Sequence, residues 1–172
     1  MNLRPARPQS WPPWPPGCSA FADHAVVSRR SLVKIDKDLP FQEAALFGCA
    51  VLTGVGAVVN TGRVQAGESV AVIGLGGVGL AAVLGAIACG ASQIIAVDVS
   101  DEKLALATSM GATATVNARD PDAIEQVRQL TGGGADFVFE FAGVGAALEN
   151  AYKMTKRGGT TVTAGLPPPD VN

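Results

Sequence analysis

A glycine-rich turn between an apolar strand and a helix constrains this chain more than any other feature. The run Val70–Val83 is apolar throughout and is interrupted by glycines in the pattern G-x-G-x-x-G. Gly74 permits the tight bend, Gly76 lets backbone approach a pyrophosphate, and Gly79 lets the helix pack closely on the strand. The free N–H groups and the positive dipole end of the helix favour phosphate at the same point. The pattern therefore predicts a dinucleotide-binding turn.

An acidic residue ends the next apolar run. Gln93–Asp98 is strand-like, and Asp98 follows Gly79 by nineteen residues. A carboxylate at that position can accept hydrogen bonds from an adenosine ribose. It would also repel a 2′-phosphate, and the next residues, Val99 and Ser100, offer no arginine to bind one. We therefore predict that the cofactor is NAD and not NADP.

Apolar, strand-like runs recur along the chain from Val70 onward. They begin near residues 70, 94, 114, 137 and 160. Strands that alternate with helices at this spacing predict a parallel sheet with right-handed crossovers and helices on both faces. The predicted fold class is α/β, a Rossmann-type doubly wound parallel sheet with five recognisable strands in the order 3-2-1-4-5. Such a sheet usually has a sixth strand, which we expect to be missing because the sequence stops at Asn172.

Helix start signals stand between these runs. Ser100 is the predicted N-cap of one helix, with Asp101 and Glu102 in its first turn. Asp120 is the predicted N-cap of the next, followed by Pro121 at the first helical position. Small polar caps, an early proline and acidic first turns are typical of helix N-termini.

Composition limits the partners of the chain. Of its 172 residues 48% are hydrophobic and 16% are charged, which favours a globular domain with a sizeable core. The net charge is −2 and the sequence has no basic cluster, so we expect neither nucleic acid nor an anionic membrane as a partner. Two long uncharged spans, 44–62 and 69–97, resemble membrane helices by hydropathy alone. Because a buried strand and helix of an α/β domain are equally apolar, we expect no membrane insertion.

The cysteine pattern bears on the compartment. The sequence has three cysteines, Cys18, Cys49 and Cys89, and their spacing suggests no disulfide pairs. We also recognise no secretory signal. Reduced thiols in a reducing compartment fit this usage better than a disulfide framework. We therefore expect a cytoplasmic protein.

The sequence divides into three regions. Residues 1–16 hold six prolines and both tryptophans, so we predict a disordered leader, with a polyproline II ligand as the alternative. Residues 17–39 contain short extended runs, such as Ser31–Ile35, that we interpret as the end of another unit. Residues 40–172 are the predicted dinucleotide-binding domain. It begins with Phe41–Asn60, which is apolar enough for one or two buried helices.

A set of ordered segments carries a family resemblance over residues 17–172. The chain resembles the zinc-dependent medium-chain alcohol dehydrogenases, which oxidise alcohols to carbonyl compounds with a nicotinamide cofactor and a catalytic zinc. Residues 17–39 then correspond to the end of the catalytic domain of that family. The segments that carry the resemblance are Gly48–Ala57, Val64–Gly79, Ile95–Asp98, the Gly-Ala pair at 111–112, Asp136–Glu140 and Gly158–Gly159.

The resemblance implies roles for particular residues. Cys49 corresponds to a ligand of the catalytic zinc, and Thr53 to a catalytic-site residue beside the nicotinamide. The other implied roles are those of Gly77 and Val78 at the pyrophosphate, Asp98 and Lys103 at the adenosine ribose, and Ala142 and Ala164 at strand ends that line the cofactor cleft.

The chain also departs from the family pattern. A catalytic zinc needs three protein ligands and an open position, and the Gly-His-Glu segment of the family is not found in this sequence. His24 and Cys18 correspond to no ligand position of the family. We therefore expect Cys49 to be an unliganded thiol here, and the chain to hold the NAD-binding portion without activity of its own.

The sequence leaves three alternative functions open. One is a split dehydrogenase that recruits its catalytic half from another polypeptide. The complete enzyme would then act on a small alcohol or aldehyde. Another is an NAD-binding sensor or interaction module. With any of these functions the chain could form a homo-oligomer, because the predicted fifth strand has an exposed edge. The third is a methyltransferase, whose fold has a similar turn, but the Gly48–Ala57 segment argues against it.

Overall fold

The computed structural model describes residues 23–24 and 26–166 of the chain. They belong to two compact units that divide between Leu39 and Pro40. The predicted proline-rich leader, residues 1–16, lies outside the described residues, and so do residues 167–172.

The described part of the first unit has little regular structure. Arg29–Ser31 forms a 3₁₀ turn, and the Ser28 hydroxyl accepts a hydrogen bond from the Arg30 N–H at 3.3 Å. Leu32 keeps an extended backbone, with φ −105° and ψ 131°, but no strand forms among the described residues of this unit. The run Ser31–Ile35 is thus extended at Leu32, as predicted, but it forms no strand, because an extended segment becomes a strand only when a neighbouring segment pairs with it.

A five-stranded parallel sheet forms the centre of the second unit. Its order is β3-β2-β1-β4-β5, so the predicted fold class and strand order are confirmed. The strands are β1 (Ser69–Ile73), β2 (Gln93–Asp98), β3 (Ala114–Asn117), β4 (Ala135–Glu140) and β5 (Thr155–Thr163).

Helices cover both faces of the sheet, as the alternating pattern predicts. The first is a 22-residue segment that mixes α and π turns, and the other four connect successive strands. The helices are α1 (Phe41–Gly62), α2 (Gly77–Ala88), α3 (Asp101–Met110), α4 (Ala123–Leu130) and α5 (Gly145–Met154).

The core lies in two layers, one on each side of the sheet. All five residues of β1 are buried, and their side chains alternate between the layers. Val70 and Val72 join the layer under α1 and α2, whereas Ala71 and Ile73 join the layer under α4 and α5. A parallel strand covered on both faces has to be apolar throughout, which explains why this run shows no polar alternation.

The burial of α1 differs from the prediction. Only 17% of its most apolar stretch is buried, and Phe41 and Leu52 are 88% and 69% exposed. One side of α1, around Gly54 and Val58, packs against α2, and the other side is open. Of the helices described here, α1 is the one whose length and composition would allow it to cross a membrane. A core helix of a soluble protein satisfies the same criterion.

The start of α4 also differs from the prediction. Ser100 does precede α3 as expected, but α4 begins at Ala123, with Asp122 and not Asp120 at the N-cap. The backbone before it forms a separate turn, in which the Asp120 N–H donates to the Asn117 carbonyl at 3.0 Å. The Asn117 side chain accepts from the Arg119 N–H at 3.0 Å and stabilises the same turn. This turn delays the helix by two residues.

Candidate cofactor-binding site

The glycine turn, residues 74–79, lies at the carboxyl edge of the sheet, next to its topological switch point. β1 pairs with β2 on one side and with β4 on the other, so the crossovers leave β1 in opposite directions. Ligands of doubly wound sheets bind in the crevice at this point. The structure therefore positions the turn where a cofactor is expected.

Two glycines of the turn are required by packing. Gly74 has φ +88°, and a Cβ there would lie 2.7 Å from the Ala142 nitrogen. A Cβ on Gly79 would lie only 1.9 Å from the Gly74 carbonyl oxygen. Gly76, in contrast, is exposed and has nothing within 4 Å of a Cβ. The open approach at Gly76 leaves room for a ligand between the strand and the start of α2.

The Asp98 carboxylate holds the glycine turn in place. Its Oδ2 accepts the Leu75 N–H at 2.7 Å, and its Oδ1 accepts the Ser100 N–H at 2.9 Å. The Lys103 Nζ lies 3.8 Å from Oδ2. Asp98 itself is buried, with 6% of its surface exposed. The contact with Leu75 was not anticipated from sequence, because it joins residues 23 positions apart. Asp98 thus has a structural task in addition to its predicted role at the ribose.

A cavity of about 200 Å³ opens between the ends of β1, β2 and β4. Gly74, Asp98 and Ala142 line it, together with the exposed side chains of Val99 and Val144. Its walls are mainly apolar, and the Asp98 carboxylate stands at one side. A mainly apolar cavity with one charged group at its side is typical of a small-molecule site.

A larger groove of about 900 Å³ lies at the other end of the sheet. It is lined by the first residues of β5, including Lys156 and Arg157, and by Arg128 of α4. None of the predicted site residues lines it. We therefore place the candidate site at the smaller cavity, where the turn, the acidic residue and the switch point coincide.

The predicted zinc ligand and the predicted catalytic residue both lie on α1. Ala50 and Gly54 of this helix contact the start of α2: a Cβ on Gly54 would lie 2.1 Å from the Val78 carbonyl oxygen. Cys49 and Thr53 each precede one of these contact residues by one position, and both are exposed. Cys49 and Thr53 thus lie on the helix that packs against the start of α2, each next in sequence to a contact residue.

The described residues do not complete a zinc site. They contain no cluster of three or more His, Cys, Asp or Glu side chains with the arrangement of a metal site. Cys49 supplies one thiol, whereas a catalytic zinc takes three protein ligands. The donor set present in this part of the chain thus does not fit the metal.

The remaining predicted residues flank the same edge. Lys103 is exposed in the first turn of α3, and Gly77 is exposed at the start of α2. Ala142 and Ala164 are both exposed in the segments that follow β4 and β5. The residues assigned to the cofactor are thus brought together at one edge, although they come from segments spread over the whole domain.

A polar network at the opposite edge of the sheet joins residues near the starts of three strands. The Asp136 carboxylate accepts from the Ser69 N–H at 2.8 Å and from the Ser69 hydroxyl at 2.5 Å, and it is paired with the Lys156 ammonium. Partial burial raises the pKa of Asp136, but the bonds from Lys156 and Ser69 outweigh it and hold the pKa at about 2. The ordinary value is 3.8. This carboxylate therefore stabilises the fold in its charged form.

Acid is expected to remove this stabilisation. Since the folded pKa lies below the unfolded value, the contribution is complete above pH 3.8 and is lost as the pH falls through about 2. Asp136→Asn is expected to lower the free energy of unfolding by about 1–2 kcal/mol at neutral pH, and the difference from wild type should shrink towards pH ~2. Urea unfolding at several pH values measures both effects.

Glu149→Gln is the matched control. Glu149 is paired with Lys153 at 3.6 Å, but its side chain is 74% exposed. An exposed pair contributes about 0.5 kcal/mol or less. An Asp136→Asn effect no larger than that of the control at neutral pH would contradict the role of the network.

Comparison with known proteins places the chain in a family. A family model described as zinc-binding dehydrogenase matches residues 77–172. An S-(hydroxymethyl)glutathione dehydrogenase from Synechocystis sp. is 45% identical over 153 residues, which are 87% of this chain and 42% of the relative. The chain thus spans less than half the length of this curated relative.

Solved structures agree with this match. An alcohol dehydrogenase zinc-binding domain protein from Burkholderia ambifaria is 36% identical with a TM-score of 0.85, over 90% of this chain and 42% of that chain. Benzyl alcohol dehydrogenase from Acinetobacter calcoaceticus is 35% identical with a TM-score of 0.85, over 90% and 43% of the two chains. The resemblance inferred from sequence is confirmed. The chain belongs to the zinc-binding dehydrogenase family.

Proposed function

We propose that this chain is the NAD(H)-binding portion of a zinc-dependent alcohol dehydrogenase. One observation carries the proposal: the open glycine turn, the buried Asp98 and the cavity of about 200 Å³ lie side by side at the switch point. A phosphate site, a ribose acceptor and an apolar pocket are the three parts that a dinucleotide site needs. The family assignment supports the same cofactor class.

Each part of the cofactor has a proposed set of partners in the chain. The first N–H groups of α2, at Gly77 and Val78, have no acceptor within the helix ladder and would receive the pyrophosphate. Asp98 would accept from the ribose hydroxyls, with Lys103 beside it. The adenine would occupy the apolar cavity, next to Ala142. The cofactor would then lie across the carboxyl edge of the sheet.

Thr53 and Ala164 would flank the nicotinamide end. When bound, the nicotinamide supplies the acceptor for a hydride from an alcohol carbon. The Thr53 hydroxyl is exposed on α1 and is available to orient a ligand there, and the Ala164 methyl group is small enough to permit close approach. The contribution of this chain is thus to bind and orient the cofactor.

We assign no zinc-dependent step to this chain. Cys49 is the one zinc ligand that the resemblance places within the described residues. These residues contain no group of three or more His, Cys, Asp or Glu side chains that could hold the metal. We therefore propose that the chain alone does not oxidise alcohols. The Cys49 and Cys89 thiols are free, which supports our proposal of a reducing, cytoplasmic location.

A second candidate is one half of a two-chain dehydrogenase. The observation that favours it is the open apolar side of α1 around the predicted catalytic positions, where Leu46, Phe47 and Leu52 are 53%, 52% and 69% exposed. A polypeptide seated there would stand directly over Cys49 and Thr53. Alcohol-dependent NADH formation that appears only when a second polypeptide is added would favour this candidate over the first.

Ligand binding tests the first proposal directly. We expect the purified chain to bind NADH more tightly than NADPH, and to show no measurable affinity for S-adenosylmethionine. Isothermal titration with the three ligands under identical conditions measures this order. Preference for S-adenosylmethionine would instead support a methyltransferase, and an NADH-dependent change of oligomeric state without turnover would support a sensor.

A further inference from the structure

Glu140 is a buried carboxylate that lines no part of the candidate cofactor cavity. It is the last residue of β4 and is 1% exposed. In the sheet it lies between Ile73 of β1 and Thr163 of β5. Among the described residues, no Lys or Arg nitrogen lies within 4.0 Å of it. A buried carboxylate is costly unless hydrogen bonds compensate for the lost water.

The hydrogen bonds of Glu140 join two loops. Its Oε1 accepts the Gly143 N–H at 2.7 Å, in the loop after β4. Its Oε2 accepts the Thr163 hydroxyl at 2.7 Å, at the end of β5. Its backbone carbonyl accepts the Ala164 and Gly165 N–H groups at 3.0 and 3.2 Å. One residue therefore holds the segments on which Ala142 and Ala164 lie.

The two loops are packed backbone against backbone around this carboxylate. A Cβ on Gly165 would lie 2.4 Å from the Gly143 nitrogen and 2.7 Å from the Glu140 Oε2. On the other side, a Cβ on Gly74 would lie 2.7 Å from the Ala142 nitrogen. The loop after β4 is thus in direct contact with the glycine turn on one side and with the loop after β5 on the other.

We propose that Glu140 is a positioning residue for the cofactor. Through Gly143 and Thr163 it fixes the relative position of the loops after β4 and β5, and thereby the width of the cleft between Ala142 and Ala164. It acts through these loops and does not touch the ligand, because its side chain is enclosed by them. This inference rests on the proposed NAD site and deepens it.

Substitution of Glu140 tests the inference. Glu140→Ala removes both loop contacts and is expected to weaken NADH binding by about tenfold, the equivalent of one hydrogen bond to a charged group. Glu140→Gln keeps an acceptor for the Gly143 N–H, and its amide can donate to the Thr163 oxygen. The glutamine variant is therefore expected to bind NADH within about threefold of wild type. Titration of NADH, at a temperature where circular dichroism shows the folded state, measures both affinities.

The outcomes separate positioning from a merely structural role. A folded Glu140→Ala variant with wild-type affinity overturns the inference, and so does a glutamine variant that loses as much affinity as the alanine variant. If Glu140→Ala does not fold, Thr163→Val decides, because it removes only the Oε2 contact: weaker NADH binding supports the inference and unchanged binding overturns it. Glu149→Ala, on the exposed side of α5, is the control and should bind as wild type.

Failure of the underlying proposal has a different signature. If the wild-type chain itself binds no NADH, the proposed cofactor site is wrong and the inference on Glu140 is overturned with it. If wild type binds and the variants do not differ from it, the cofactor site stands and only the role of Glu140 is rejected. The wild-type titration is therefore the first measurement.

Discussion

Asp98→Ala is expected to weaken NADH binding by roughly tenfold to a hundredfold, the range for hydrogen bonds to a charged group. The carboxylate is the proposed acceptor for the ribose hydroxyls, and it also holds the Leu75 N–H at 2.7 Å within the glycine turn. Its loss removes a ligand contact and loosens the phosphate-binding backbone. NADPH binding is expected to weaken less, because the charge that repels a 2′-phosphate is removed with the side chain. Parallel titrations of both cofactors measure the change in preference.

The control for Asp98 is Glu102→Gln. Glu102 is an exposed acid in the first turn of α3, a few residues along the chain, and it lines no part of the candidate site. Its substitution changes the net charge by the same amount and should leave the NADH to NADPH preference unchanged. Tighter binding of NADPH than NADH by the unmodified chain would refute the assignment of Asp98 to the ribose.

Gly79→Ala is expected to destabilise the fold by about 3 kcal/mol or more, at or beyond the usual range for overpacking. The added methyl group would lie 1.9 Å from the Gly74 carbonyl oxygen, which is backbone and has no alternative rotamer. Either α2 moves away from β1 or the glycine turn deforms. Urea unfolding followed by circular dichroism measures the loss, and NADH binding is expected to fall with it.

Gly76→Ala separates packing from ligand approach. A Cβ at this position meets nothing within 4 Å, and the backbone φ of −75° is acceptable to alanine. Stability should therefore stay within about 0.5 kcal/mol of wild type, as for most exposed substitutions. If the pyrophosphate approaches the backbone here as proposed, the methyl group will still weaken NADH binding. Unchanged binding in this variant would argue against the proposed phosphate position.

The periodic part of the chain could be predicted well from sequence. The runs near 70, 94, 114, 137 and 160 correspond to the five strands, and the order 3-2-1-4-5 is confirmed. Apolar strands separated by helices with local start and stop signals determine such a fold, because each crossover is short and right-handed. The glycine turn could also be predicted from sequence, because its geometry depends on residues that are neighbours in the chain.

The errors arose where local signals competed with contacts elsewhere. Asp120 and Pro121 are a reasonable helix start, yet the turn around Asn117 takes up Asp120 and α4 begins at Ala123. For Phe41–Asn60, composition favoured a buried helix, but burial depends on what packs against each side. The side that meets α2 and Phe139 of β4 is covered closely, and the opposite side is open.

Sequence by itself determined the class of the fold, the order of its strands, the position of the glycine turn and the family, because these follow from periodicity and from residues close together in the chain. Only the tertiary structure decided that Asp98 holds the Leu75 N–H, that α1 keeps an open apolar side, and that Glu140 joins Gly143 to Thr163. Such contacts depend on strand register and on helix packing, which bring together groups far apart in sequence. From the sequence alone, Glu140 is only a charged residue at the end of an apolar run. Its partners, Gly143 and Thr163, follow from the register of the neighbouring strands.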